Sequence, residues 1–355
     1  MVSFGFNSGI GLAASANAWF SGSAFTIVDA ADSVSKAPAF IADFRRDRYA
    51  LTSVASGGIA AATVDALIVP QSVAFTDLFS FTRASVAEYL DAAGTAQQAA
   101  VDTPRFDYRN GQRQLLLEGS ATNLFLNSFA PATQTVTVAN GSQYTVSCRG
   151  GGSLTLSGAA TGTVTQASSQ TFTASTTSLA LTASGTLSRA QVETGAVASS
   201  VVQTAGAAAA RSADSCRLSA VGEALVQRSA ATLVVKTQAL SGSLGRLVGA
   251  GSGDELIRLN TAQTSILSGN TLVLAAVATP LPACGIGLGW SGTGRSGSYN
   301  GAAVNSDAIV PTATGQVYLG RNQAGFAASG RYDSLVIWPF RATNASIQAR
   351  ATAYA

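Results

Sequence analysis

The chain has 355 residues, of which 47% are hydrophobic and only 11% are charged, and its formal net charge is +3. This length allows two or three domains with their own cores, and high hydrophobicity with little charge excludes a disordered chain. Histidine is absent, which excludes histidine-dependent hydrolase triads and histidine-containing metal sites. Without a basic run or a long apolar stretch, we expect neither nucleic-acid binding nor membrane insertion.

Residues 1–78 are predicted to form an N-terminal extension that anchors the chain. They lack the charged start of a secretory signal, so we expect synthesis in the cytoplasm. Residues 43–49 hold the densest charge cluster of the sequence, and a strand-like run follows at 63–69. A charge cluster usually forms a solvated face or a contact between subunits. Removal of residues 1–78 is therefore expected to leave a soluble, folded remainder.

Residues 79–127 alternate apolar and polar positions and are predicted to form a β-hairpin block. Asn110 and Gly111 lie between two strand-like runs. An Asn-Gly pair is a strong hairpin signal, because both central residues of a type I′ turn need positive φ. Tyr108 should end one strand, and Gln114–Leu117 should form its partner.

Residues 128–204 are rich in Thr and Ser and alternate with period two between Gly-rich breaks. This pattern is typical of half-buried antiparallel strands. We predict a small β-sandwich of the carbohydrate-binding-module type. The small-residue run that follows makes residues 205–215 the predicted linker.

Residues 216–355 contain many short strand-like runs with turn signals every eight to twelve residues. This spacing predicts a larger jelly-roll sandwich, closed by a short helix near residue 344. The sequence therefore predicts an all-β fold. Its three cysteines, Cys148, Cys216 and Cys284, lie far apart, so we expect buried free thiols rather than a metal or redox site.

Two sets of motifs carry a resemblance to known families. They are FSFTRAS at 79–85, PRFDY at 104–108, LLLEGSATNL at 115–124, SYNG at 298–301, YLGR at 318–321 and GRYDSLVIW at 330–338. The first three resemble a block in spike and tail-fibre proteins of tailed bacteriophages, prophages and gene transfer agents. The last three resemble the concanavalin-A-like, laminin-G-like fold.

The resemblance implies a virion surface protein that adsorbs to the host cell. Its implied partners are other virion proteins, a host cell-surface polysaccharide and further copies of itself in a homo-oligomer, for example a trimer. A structural connector or capsid or tail decoration protein remains an alternative.

Lectin-like sandwiches stack aromatic rings on sugars and bond the hydroxyl groups with Asn, Asp or Arg. The predicted carbohydrate-binding residues are Tyr299, Asn322, Phe326, Arg331 and Asp333. No cofactor is expected, although folds of this kind sometimes hold calcium through Asp and Asn oxygens.

Four carboxylates, Asp91, Asp102, Asp107 and Glu118, lie within about thirty residues of one another. A glycosidase needs two carboxyl groups that flank the scissile bond. We favour structural roles for these four as turn caps and arginine partners. The chain is therefore predicted not to be an enzyme, with a polysaccharide depolymerase as the third interpretation.

Overall fold

In the computed structural model, the described residues are 25–52, 70–109, 111–241, 245–251, 254–259, 264–268, 270–276, 282–311 and 313–354. About 51% of the residues are in β-strands and 6% in helices, which confirms the predicted all-β class. The first group of strands is β1 (Ile27–Val28), β2 (Ser35–Lys36), β3 (Phe40–Asp43), β4 (Arg48–Thr52), β5 (Pro70–Ser72), β6 (Phe79–Thr82), β7 (Ala87–Leu90), β8 (Ala96–Ala99), β9 (Arg105–Asp107) and β10 (Gln114–Leu117).

The second group forms a sheet of its own. It comprises β11 (Ala121–Asn123), β12 (Gln134–Thr137), β13 (Gln143–Gly158), β14 (Gly162–Thr165), β15 (Gln170–Thr173), β16 (Ser178–Thr194) and β17 (Ala209–Arg211). The third group is β18 (Ser215–Leu218), β19 (Ala231–Ser241), β20 (Arg246–Ala250), β21 (Asp254–Leu259), β22 (Thr264–Ser268), β23 (Asn270–Ala275), β24 (Cys284–Ser291), β25 (Gly294–Tyr299), β26 (Asn305–Asp307), β27 (Val317–Leu319) and β28 (Ser329–Trp338). The helices of the described residues are α1 (Phe75–Leu78), α2 (Ala220–Val226) and α3 (Asn344–Arg350).

Two sheets pack against each other to form the large sandwich. One has the order β26-β25-β24-β19-β28-β3-β4-β5, with β10 paired to β28 and β9 paired to β10. The other has the order β23-β22-β21-β20-β27-β18-β6. Their shared core includes Trp290, Leu233 and Leu335 from the first sheet and Leu247 and Leu319 from the second.

The central strands of the first sheet are buried on both faces. Leu233 and Val235 belong to the core between the sheets, whereas Val234 belongs to a cluster on the outer face. Helix α3 covers that outer cluster through Ile347. Burial on both faces explains why β19 begins with a nearly continuous apolar run. Among the described residues, no helix has the length and apolar character needed to cross a membrane.

The small sheet, β11 to β17, closes over a core of its own that includes Phe125, Val146 and Leu181. Strands β13 and β16 pair along nearly their whole lengths, and a β-bulge between Arg149 and Gly150 interrupts their register. Gly150 has φ +108°, and a Cβ there would lie 2.4 Å from a backbone oxygen. The bulge therefore requires glycine, and bulges bend and twist the strand that carries them.

The strand pairing differs from the predicted domain boundaries. Strands β3 and β4, expected in a separate extension, join the large sheet because β3 pairs with β28. Deletion of residues 1–78 would thus remove strands of the sandwich, and the expectation that it leaves a folded remainder does not hold. Residues 1–24 and 53–69 of that region, including the predicted strand at 63–69, lie outside the described residues.

The predicted linker, residues 205–215, also has a defined structure. Its strand β17 pairs with β11, so the chain enters and leaves the small sheet side by side. The small sheet is therefore an insertion between β10 and β18 of the large sandwich. The preceding block is likewise built into the large unit, since β6 pairs with β18 and β10 with β28.

Several local predictions are confirmed. Strands β9 and β10 form the expected antiparallel pair, with Gln114 opposite Asp107. Gly111 of the connecting loop has φ +71°, while Asn110 lies outside the described residues. All three cysteines are free and buried. Helix α2 was not predicted; it begins after Ser219, whose hydroxyl accepts a hydrogen bond from the backbone N–H of Gly222 at 3.5 Å.

Candidate functional site

The five side chains predicted to bind a glycan lie mostly inside the large sandwich. Tyr299, Asn322, Arg331 and Asp333 are each less than 10% exposed, whereas Phe326 is 44% exposed. Tyr299 ends β25, which lies three strands away from the β28 residues Arg331 and Asp333. The structure therefore does not gather these residues on one surface.

Two of the five hold the sandwich together through buried polar contacts. Arg331 Nε donates to Asp107 Oδ2 at 2.7 Å, and Asp333 Oδ1 accepts a hydrogen bond from Gln114 Nε2 at 2.8 Å. A buried charge that loses its partner is strongly destabilising. These side chains are consequently poor candidates for direct ligand contact.

The loop between β27 and β28 is braced from within. Asn322 Oδ1 accepts a hydrogen bond from the backbone N–H of Phe326 at 3.1 Å. The guanidinium carbon of Arg246 lies 4.8 Å from the ring centroid of Phe326. Phe326 is thus the exposed member of the predicted set, and its role in binding stays a prediction.

The four carboxylates of the block have structural partners. Asp91 Oδ1 caps a turn by accepting from the backbone N–H groups of Ala93 and Thr95, and Asp102 Oδ1 accepts from the backbone N–H of Arg83. The remaining two form buried ion pairs with arginines. Within the described part of the chain, no group of three Cys, Asp or Glu side chains is arranged to hold a metal ion.

Five buried charged residues connect the small sheet to the large sandwich; we call them the joint. They are Arg83, Arg105, Glu118, Arg211 and Asp214, and each is at most 7% exposed. Arg105 donates to Glu118 Oε2 at 2.8 Å and to Asp214 Oδ2 at 2.5 Å. Arg83 donates to Asp214 Oδ1 at 3.1 Å, and Arg211 Nη2 lies 3.5 Å from Glu118 Oε2. Residues of the block and of the predicted linker therefore meet in one network.

Glu118 is held in its charged form. Burial by itself would raise the pKa of this carboxyl group, but the charges of Arg211 and Arg105 and hydrogen bonds from Ser200 hold the pKa well below its usual range. Ser200 donates from its backbone N–H at 2.8 Å and from its hydroxyl at 2.6 Å. The carboxylate of Glu118 is consequently charged at neutral pH, whereas Arg105 Nε and the Nε and Nη2 atoms of Arg211 are buried without a hydrogen-bond partner.

Glu88 ties the hairpin formed by β7 and β8 to the small sheet. Its carboxylate is 1% exposed and accepts from Arg149 Nη1 at 2.6 Å and from Arg189 Nε at 3.3 Å. Arg149 and Arg189 lie directly opposite each other across β13 and β16. Like charges in opposite positions repel. A single carboxylate thus holds together two guanidinium groups that would otherwise separate.

A cleft of about 700 Å³ opens between this hairpin and the small sheet. Small-molecule sites have volumes of about 300–1,000 Å³, so the cleft is large enough for a ligand. Residues of the hairpin turn form one side, and residues of β13 and β16 around the bulge form the other. Its polar lining side chains are Thr95, Arg109, Ser147, Arg149, Thr165, Gln166, Ser169, Ser188, Arg189 and Ser199.

Arg109 lines the cleft from the loop after β9. Its guanidinium group makes no ion pair or side-chain hydrogen bond with any other residue that the structure describes. The side chain is exposed to solvent but crowded by the cleft walls. This crowding, with the charges of Arg331 and Arg149, lowers its pKa. Arg109 thus has its hydrogen-bond donors available for a ligand.

A second concavity, of about 400 Å³, lies on the outer face of the large sheet. Its lining includes Arg46, Lys236, Trp338 and Tyr354. The ring centroid of Tyr354 lies 4.4 Å from Lys236 Nζ and 4.8 Å from the guanidinium carbon of Arg45. Because the tyrosine ring already covers these basic groups, we take the first cleft as the candidate site.

Sequence reasoning missed the cleft, although one signal was present. Between residues 128 and 204 the charged residues are Arg149, Arg189 and Glu193 alone. Both arginines line the cleft, and Glu193 accepts hydrogen bonds from Ser199, another lining residue. Isolated charges in a Ser- and Thr-rich sheet indicate a specific role. Their partner Glu88, however, comes from a distant part of the chain.

Comparisons with known proteins do not assign this chain to a family. No protein-family model matches the chain, and no curated protein matches its sequence. Among solved structures, it is similar to the CBM40 module of the Ruminococcus gnavus IT-sialidase bound to α2,3-sialyllactose, with a TM-score of 0.31 and 12% identity over 37% of this chain and 87% of that chain.

Two further structures illustrate the range of neighbours. Domain 4 of the arabinanase AbnA from Geobacillus stearothermophilus, in complex with arabinotriose, has a TM-score of 0.33 and 16% identity, covering 39% of this chain and 73% of that chain. A Trypanosoma rangeli sialidase in complex with the inhibitor DANA has a TM-score of 0.30 and 15% identity. The match covers 38% of this chain and 25% of that chain. At TM-scores of 0.30–0.33 these similarities assign neither a family nor a ligand to this chain.

Proposed function

We propose that this protein is a surface component of a phage-like particle that binds host polysaccharide through the cleft. The observation that carries the proposal is the cleft itself, a polar cavity between two units that the joint holds together. A rigidly supported cavity loses little freedom when a ligand binds, which favours affinity.

The lining suits a saccharide. Sugar hydroxyl groups both donate and accept hydrogen bonds, so they need partners of both kinds. Guanidinium groups of Arg149 and Arg189 are donors, whereas the hydroxyl groups of Ser147, Ser169 and Ser188 can do either. Such a lining can bond several hydroxyl groups of one sugar at once.

The assignment to a particle surface rests on the resemblance of the block at 79–127 to phage spike and tail-fibre proteins. Single sugar sites are weak, and presentation of several copies on one particle raises avidity by roughly 10²–10⁴. A homo-oligomer docked on other virion proteins would present the cleft in this way. In this proposal the joint keeps the orientation of the small sheet fixed relative to the docked sandwich.

We propose binding without cleavage. Glu88, Asp107 and Glu118 are engaged in ion pairs with arginines. A carboxyl group bound in this way is poorly placed to exchange a proton with a glycosidic oxygen. Incubation of the protein with a bound polysaccharide should therefore leave the polymer length unchanged.

The test is binding of the purified chain to bacterial cells and to an array of bacterial polysaccharides. Ala167→Trp places a large side chain at the exposed turn that lines the cleft. Ala302→Trp is the matched control at an exposed turn of the large sandwich. We expect Ala167→Trp to weaken binding at least about tenfold, and Ala302→Trp to leave it unchanged.

Absence of binding to every cell and polymer tested would overturn the proposal. If a chain that binds no cell or polymer is still incorporated normally into particles, a role as a structural connector would be favoured. If Ala167→Trp binds as tightly as Ala302→Trp, the glycan binds outside the cleft.

A further inference from the structure

The cleft carries an excess of positive charge. Three arginines line it, Arg109, Arg149 and Arg189, and no carboxylate does so among the described residues. Glu88 lies beneath two of them and contributes one negative charge. Arginines therefore outnumber carboxylates among the lining residues, while Asp107 and Glu118 behind the lining attract the charge of Arg109.

Three arginines around one cleft are unusual for this chain, because only 11% of its residues are charged. The small sheet could be built without arginines, because its core consists of apolar residues such as Val146, Leu181 and Val192. Two arginines in opposite positions at a bulge cost repulsion, which Glu88 only partly offsets. They pair with buried Glu88 and so attach the hairpin, but the core of the small sheet does not require them.

Arg109 strengthens the argument, because it forms no direct ion pair among the described residues; Asp107 and Glu118 attract its charge without pairing with it. Arg331, a neighbouring arginine, is paired with Asp107. Arg149 and Arg189 are both paired with Glu88, with side chains 24% exposed. The guanidinium group of Arg109 is thus exposed in a concave site beside two other cations, where a bound anion would relieve the repulsion.

We propose that the cleft selects saccharides that carry an anionic group, a carboxylate or a phosphate, and that Arg109 is the principal contact of that group. This inference rests on the proposed polysaccharide binding. The planar guanidinium fork matches the two oxygens of a carboxylate or phosphate and forms short, strong hydrogen bonds with them. Arg149, held by Glu88, supplies further donors to the same ligand.

The test compares acidic polymers with neutral partners of the same backbone. Polygalacturonate is set against its methyl ester, and phosphorylated dextran is set against dextran. The full-length protein is assayed with each at low and at physiological salt. We expect at least about tenfold tighter binding to an acidic polymer, with the difference shrinking as salt rises. The better of the two acidic polymers identifies the anionic group.

Variants at Arg109 make the test specific. Arg109→Ala should weaken binding of the acidic polymer by about ten- to a hundredfold and bring it close to that of the neutral partner. Arg109→Lys keeps the charge but not the fork, so its affinity should fall between those of the wild type and Arg109→Ala. Neither change should alter the thermal unfolding midpoint appreciably, because Arg109 has no described partner.

Equal binding of acidic and neutral polymers would overturn the inference while leaving polysaccharide binding intact. Preference for acidic polymers that persists in Arg109→Ala would overturn the assignment of Arg109. Absence of binding to every cell and polymer would instead contradict the proposed function on which the inference rests.

Discussion

The joint and the cleft use the same residue type in opposite ways. In the joint, Arg83, Arg105 and Arg211 face two carboxylates and are at most 1% exposed. In the cleft, Arg149 and Arg189 share one carboxylate, and Arg109, which has no ion pair among the described residues, is open to solvent. The two regions are neighbours, since Ser200 bonds to Glu118 of the joint and the adjacent Ser199 lines the cleft.

This difference distinguishes arginines that stabilise the fold from arginines that, in the proposed function, contact a ligand. Buried arginines that are ion-paired with buried carboxylates are costly to disturb and unavailable to a ligand. Exposed arginines with incomplete partners contribute little to folding but retain free donors. The count of partners and the exposure of a charged group therefore distinguish the two roles better than the residue type does.

The largest effect is expected from Arg105→Met. It leaves Glu118 and Asp214 without their central partner, so we expect a loss of about 3–5 kcal/mol in the free energy of unfolding. Arg109→Met is the matched change in the cleft and should cost less than about 0.5 kcal/mol. Denaturant unfolding of both variants measures the contrast. Similar stability of the two proteins would contradict the distinction between joint and cleft.

A smaller effect should appear as a pH dependence from Glu193, which lies between the two regions. Burial raises the pKa of Glu193 from 4.5 to about 7, despite hydrogen bonds from Ser199. The folded state then binds the proton more tightly than the unfolded state. Its contribution is fully present below pH 4.5 and is lost as the pH rises through 7, a change of up to about 3 kcal/mol.

Glu193→Gln removes this titration. The stability difference between the wild type and the variant should therefore change across pH 4.5–7 and level off above it. Glu118 stays ionised in this window because its pKa is held low. Urea unfolding at several pH values provides the measurement, and parallel curves for the two proteins would rule out a raised pKa at Glu193.

The smallest effect on stability is expected from Glu88→Gln. It removes the charge that holds Arg149 and Arg189, whose side chains are 24% exposed. Partial exposure screens the loss, so we expect a cost of about 1–2 kcal/mol. The charge of the cleft rises at the same time, and binding of an acidic polymer should strengthen. Weaker binding by a variant that remains folded would contradict the electrostatic account.

The sequence allowed prediction of much of the local structure. Period-two alternation located strands such as β12 and β15, because one more deeply buried face imposes that pattern. Helix α2 was missed, since Gly222 and its valines weaken the helical pattern. Its signals were the N-cap Ser219 and the acidic Glu223.

Local sequence patterns could not predict which strands pair when they lie far apart in the chain. Strand β3 pairs with β28, almost three hundred residues later, so residues 40–43 resembled a separate extension. The candidate site depends on similar contacts, because Glu88 is 61 residues from Arg149 and 101 residues from Arg189 in the sequence. Most side chains of the site predicted at 299–333 are buried in the structure. A strand pattern in the sequence does not specify the burial of each residue.

Amide hydrogen exchange of the full chain, with and without a bound host polysaccharide, tests the central claim most directly. The account predicts added protection at the hairpin turn 94–96, around the bulge at 147–150 and at 188–189. The loop 321–330, which carries Phe326, should exchange at an unchanged rate. Protection confined to that loop, with none around the cleft, would contradict the account.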